Sequence, residues 1–177
     1  MRKLFILSFL MLSVYSVSAQ NQFPGVSAAH RQKLQAAKKS LAFPLPTWLP
    51  AGFALDKVET KLGRHVPLEN KTFKVVYSRH LPNGKIQQFA IEAGFDGLGG
   101  LPYDVTHKLR SPVGEIELMY EPIDEDGAKL KNYVITEWFN IGNVAFHYLG
   151  TDGFEESGGT HAMISLADTE RILRSLK

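Results

Sequence analysis

Residues 73–93 read FKVVYSRHLPNGKIQQFAIEA, and this stretch decides the fold. Two alternating apolar runs, FKVVY and FAIEA, flank a turn whose residues each have a physical reason to be there. Pro82 presets the backbone at the second position of a type I turn, and Gly84 supplies the left-handed residue of a bulge. That geometry pairs Leu81 with Lys85. Counting outward sets Tyr77 opposite Phe89, Val75 opposite Ile91 and Phe73 opposite Ala93, all on one side, as a period of two requires. Lys74, Val76, Ser78, Gln88, Ala90 and Glu92 take the other side, which reads as mixed and wetter. The hairpin is an antiparallel, half-buried element, and an antiparallel sheet is the expected organising feature of the chain.

The pattern continues downstream. Val105–Arg110 and Glu115–Glu121 are expected as strands joined by SPVG, with Ile116, Leu118 and Tyr120 alternating against Glu115, Glu117 and Glu121. A last hairpin is expected over Tyr133–Gly150, with Gly142-Asn143 as a two-residue loop that pairs Ile141 with Val144 and Phe139 with Phe146. Tyr133, Ile135 and Tyr148 join that apolar face, and Glu137 is its single polar intruder. Trp138 and His147 meet on the opposite face. FDGLGGLPYD (95–104), EDGAKLKN (125–132) and TDGFEESGGTH (151–161) read as loops. Gly97, Gly99 and Gly100 lack the spacing of a dinucleotide fingerprint. Asp124-Glu125-Asp126-Gly127 matches part of a calcium loop, but Pro122 and Asn132 stand where ligands belong, so a plain turn is expected.

Helices bracket the strands. Ser27 can cap a helix running to Leu41, with Leu34, Ala37 and Leu41 as its apolar stripe and Arg31, Lys33, Lys38 and Lys39 on a solvated face. Pro44, Pro46 and Pro50 stop it. Ser165-Leu166-Ala167-Asp168 is a capping-box variant that opens a closing helix over Leu166–Leu176. The fold class is α+β: an antiparallel sheet of about six or seven strands with an N-terminal and a C-terminal helix.

Upstream, Arg2 and Lys3 precede the apolar run LFILSFLMLSVY, and Val17-Ser18-Ala19 places small residues before Gln20. This is the pattern of a secretory signal peptide. The expected organisation is a signal peptide over 1–19, an extension and helix over 20–46, and one α+β domain over 47–177, acting in a bacterial periplasm or secreted. Arg2 and Lys3 account for the whole formal charge of +2. The neutral mature chain argues against nucleic-acid binding. The chain has no cysteine, which removes disulfides, thiol catalysis, cysteine-based zinc sites and a lipobox anchor. No second apolar run approaches the ~18 residues of a membrane span.

No motif assigns chemistry. The six histidines form neither H-x-H nor H-E-x-x-H, and neither G-x-S-x-G nor a supported S-x-x-K pattern occurs. Loop carboxylates such as Glu155, Glu156, Asp124 and Asp126 sit where solvent keeps them ionised, a poor setting for a general acid. No catalytic residue, metal ligand or cofactor is assigned. Two constellations remain. His147, His161 and Glu155 or Glu156 would make a metal or acid–base centre if folding gathered them. Trp138, His147 and Trp48 would line an outward groove for a protein or envelope-component partner; the alternative is a helix packed over that face, burying Trp138 and His147.

Trp48-Leu49-Pro50-Ala51-Gly52-Phe53 resembles the W-L-P-x-G-F opening of the C-terminal domain of RseB/MucB-type periplasmic regulators and of a broad set of secreted bacterial domains of unknown function. ISLADTERILRSLK, 164–177, is similar to the helix that closes those domains. The resemblance implies an extracytoplasmic α+β module in which the LPxGF segment opens a sheet, with a binding or sensing role. Residues 20–46 cannot supply the larger lipid-binding domain that precedes this module in the regulators, so their anti-sigma role is not carried over. The expected function is a non-enzymatic binding or sensing module. A hydrolase built on His147, His161 and loop carboxylates, and a small carrier holding an apolar ligand between sheet and helices, are the alternatives.

Overall fold

A computed structural model describes residues 23–95, 107–124, 126–150 and 160–177. The expected cleavage site, residues 96–104 of the glycine-rich connection and residues 151–159 lie outside them. The hairpin at 73–93 is the centre of the molecule. Strands β2 (Thr72–His80) and β3 (Ile86–Gly94) pair Val75 with Ile91 and Tyr77 with Phe89. The Gly84 amide donates to the Leu81 carbonyl at 3.0 Å, and Gly84 has φ +79°, the turn and bulge expected of Pro82 and Gly84.

Around this pair stand β1 (Ala54–Lys61), β4 (His107–Ser111), β5 (Gly114–Tyr120), β6 (Val134–Thr136), β7 (Phe139–Ile141) and β8 (Val144–Leu149). All ladders between them are antiparallel. The order across the sheet is β1-β2-β3-β8-β6-β5-β4, with β7 also on β8. Helices α1 (Ala28–Lys38) and α2 (Leu166–Arg174) are capped by Ser27, which accepts from the His30 amide, and by Ser165, which accepts from the Asp168 amide. Leu34 and Ala37 of α1 and Ile172 and Leu173 of α2 enter one core with Phe73, Val75, Tyr77, Phe89, Phe146 and Tyr148. Both helices therefore cover the same face of the sheet. A stack of rings, Tyr77 on Phe89 and Phe89 on Tyr148, crosses β2, β3 and β8 beneath them.

The α+β architecture agrees with the sequence reading, and four details correct it. First, the described residues form a sheet of eight strands, because the stretch expected as one strand over 133–141 is broken into β6 and β7. Ile135 pairs with Leu149, whereas an unbroken continuation of the Phe139–Phe146 register would set it against Gly150. The Thr136 hydroxyl accepts the Tyr148 amide at 2.9 Å inside this slip. A slip of one residue exchanges faces, so Val134 takes the core position and Ile135 turns to the other side. Second, that other side is drier than expected. Val76, Ala90, Met119, Ile135 and Leu149 form a second buried cluster, with Tyr133 packed against it. Third, α1 ends at Lys38 rather than Leu41, although Leu41 still reaches the core from the extended chain that follows. Fourth, the strand expected at Val105–Arg110 runs one residue further, to Ser111, and is described from His107, residues 105 and 106 lying outside the described residues.

The W-L-P-x-G-F segment forms a turn followed by β1. The Phe53 amide donates to the Pro50 carbonyl at 3.2 Å. Gly52 occupies the left-handed position with φ +85°, as the third residue of a type II turn requires. Arg79 holds the turn from β2: its guanidinium donates to the Ala51 carbonyl at 2.8 Å and lies 4.8 Å from the Phe53 ring centroid. Just before it, the extended chain pairs with residues 175–177. The Leu45 amide donates to the Lys177 carbonyl and the Lys177 amide to the Leu45 carbonyl, each at 3.1 Å, and Leu176 is fully buried.

Candidate functional site

His147 lies between Phe146 and Tyr148 on β8. Both neighbours face the helix-covered core, so strand alternation sends His147 to the opposite face. The tight Gly142-Asn143 turn fixes the count and brings Trp138, just ahead of β7, against it. The two rings are stacked, with centroids 3.9 Å apart and planes 13° from parallel. The next strand of the sheet, β3, sets Glu92 opposite His147. Glu92 Oε1 is 2.7 Å from His147 Nε2, and Glu92 Oε2 is 2.9 Å from the Lys74 ammonium on β2. Lys74, Glu92, His147 and Trp138 thus form one row across the face opposite both helices.

The electrostatics of this row follow from its contacts. Burial alone would raise the Glu92 carboxyl. The hydrogen bonds from His147 and Lys74, with the charge of Lys74, outweigh that and hold it at about 2. Glu92 is therefore ionised at neutral pH and only accepts hydrogen bonds, so His147 Nε2 carries the proton between them. Nδ1 then faces the other way, buried and without a hydrogen-bond partner among the described residues. His147 is 7% exposed and Trp138 is half-buried. A carboxylate-oriented imidazole is half of a general-base arrangement, but among the described residues no hydroxyl bonds to its Nδ1 to complete it. What the row does provide is an indole ring stacked on an imidazole that a carboxylate holds in place.

The sequence-derived residues separate. Trp138 and His147 come together, as the register implied. Trp48 does not join them: it packs against the helix-side core, with the Arg171 guanidinium 4.0 Å from its ring centroid and Ser175 bonded to its backbone. His161 lies beside β3, its Nε2 3.1 Å from the Gln88 side chain rather than near His147's partner Glu92. Glu155 and Glu156 fall outside the described residues. Among the described residues, no three or more of His, Cys, Asp and Glu gather as metal ligands would. No described helix is long and apolar enough to cross a membrane. Asp124 serves its own turn, its carboxylate accepting the Asp126 and Ala128 amides. His107 sits at the sheet edge, 3.4 Å from Glu170 of α2. The sequence alone places Glu92 and Lys74 on the wetter face and gives them no role. Only the neighbouring of β3 and β8 reveals one, and no local pattern encodes it. No protein family, curated protein or solved structure matches this chain.

Proposed function

We propose that this chain is an extracytoplasmic binding module, non-enzymatic, that contacts a protein or envelope component through Trp138 on its His147–Glu92–Lys74 support. The observation that carries this reading is the flat stack of Trp138 on a histidine that is itself fixed by an ionised carboxylate. An aromatic held in one orientation before contact loses little entropy on binding, and Trp is the residue type most enriched among binding hot spots. The export pattern over 1–19 and the W-L-P-x-G-F resemblance support the compartment and the module type. The buried state of His147 Nδ1 speaks against turnover at this imidazole, since a base must reach a substrate proton.

The test is site-specific crosslinking in intact cells. A photoreactive residue at Asn140, exposed on β7 two residues from Trp138, should give a discrete adduct, and one at Lys57, on the outer strand of the sheet, should not. Adding Trp138→Ala to the Asn140 probe should abolish that adduct while leaving the protein folded. Equal labelling from both positions, none from position 140, or an adduct unchanged by Trp138→Ala would exclude the reading.

A further inference from the structure

A cleft of about 270 Å³ opens at the end of the sheet nearest the close of α1. Five segments meet there: the chain after α1, the residue following β1, the short 3-10 turn Leu68–Asn70, the end of β3 and the β7–β8 turn. Its apolar wall is Leu41, Leu62, Leu68, Phe95 and Val144. Leu41 belongs to the main core, and Leu62, Phe95 and Val144 pack against that core, so the wall is continuous with the protein interior. Leu68 is 51% exposed, one of only two large apolar side chains left so open among the described residues.

Lys71 is the charged residue that lines the cleft, beside Ser40 and Asn143, and it makes no ion pair among the described residues. Glu69 lies in the neighbouring turn, and Asp96 follows the lining residue Phe95 in sequence. An apolar wall ending in a cation complements a molecule that is apolar at one end and anionic at the other. The volume corresponds to roughly nine water-sized spaces of ~30 Å³, enough for one alkyl chain and too little for two.

We propose that this cleft binds a single-chain carboxylate amphiphile, its chain against Leu41, Leu62, Phe95 and Val144 and its carboxylate on Lys71. The site uses none of the residues around Trp138, so the two proposals stand or fall separately. The test is calorimetric titration of the full exported chain with decanoate below its micellar concentration, beside decanol, decyltrimethylammonium and phosphatidylglycerol vesicles. Saturable one-to-one binding of decanoate is expected, with decanol weaker by roughly tenfold for want of the charge-assisted contact and no binding of the cationic analogue. Lys71→Glu should weaken decanoate by about tenfold or more. Leu68→Asp, at an exposed position that folding tolerates, should weaken it as well, while Trp138→Ala should bind like the parent. The proposal is overturned if decanoate does not bind, if the cationic analogue binds equally, if both cleft variants bind like the parent, or if only vesicles are bound.

Discussion

Glu92 remains ionised in the folded protein down to about pH 2, against an ordinary value of 4.5. A carboxyl depressed by folding stabilises the protein above its unfolded value and ceases to do so as pH falls toward its folded value. The Glu92 contribution to stability should therefore be level above about pH 5 and be lost as pH falls from about 4.5 to 2, a term of at most about 3 kcal/mol, lessened by solvent screening of the partly exposed carboxylate. Chemical denaturation at a series of pH values checks this, and Glu92→Gln should flatten that part of the profile. Tyr77 gives the opposite kind of prediction. Its hydroxyl is buried without a hydrogen-bond partner among the described residues, and burial pushes its pKa well up. Tyr77→Phe removes an unsatisfied group and keeps the ring stacked on Phe89, so the unfolding midpoint should hold or rise. The pairing of Trp138 with His147 was legible in the sequence because Gly142-Asn143 leaves one way to count. The places of Trp48, Glu92 and Lys74 were not, because each depends on which distant segment becomes its neighbour.

The 73–93 hairpin was readable because turn chemistry and alternation gave the same register, and residue pairs on both faces follow from it. Val75 is fully buried at its centre, so Val75→Asp would strand a charge in the core at a cost of several kcal/mol, comparable with the stability of a whole domain. Soluble, folded protein with an unchanged midpoint would refute the register. The break between β6 and β7 was not readable, because the alternation of Tyr133, Ile135, Glu137 and Phe139 fits an unbroken strand equally well. What decides the matter is a three-dimensional contact, the Thr136 hydroxyl taking the Tyr148 amide. Thr136→Val keeps the shape and removes that acceptor, and should destabilise by about 1–3 kcal/mol. Gly150 marks the same slip: an added Cβ would stand 2.7 Å from the Val134 Cβ. Gly150→Ala should therefore cost about 1–3 kcal/mol through overpacking, and denaturant unfolding of the two variants measures both terms.

Across the whole molecule, the strand order β1-β2-β3-β8-β6-β5-β4 places the last strand in the chain beside the third. Hairpins announce themselves locally, whereas this long-range choice is made by the burial of two faces at once, which is why the class of the fold could be read and its order could not. The same long reach joins the extended segment after α1 to the last residues of the sequence, where Leu45 and Thr47 bond to Lys177 and Ser175 and Leu176 is fully buried. Leu176→Ala should cost about 2–5 kcal/mol, the range for emptying a core leucine site, and should loosen amide-exchange protection at Leu45 and Thr47 together with that at Ser175. There is also a consequence in time. Thr47 and its partner Ser175 are 128 residues apart in sequence, so at ~5–20 residues per second the first waits roughly 6–26 seconds on the ribosome for the second. Through that interval the segment that opens the sheet is unlatched, and the growing polypeptide stays available to chaperones and to any translocation machinery that accepts only unfolded chains.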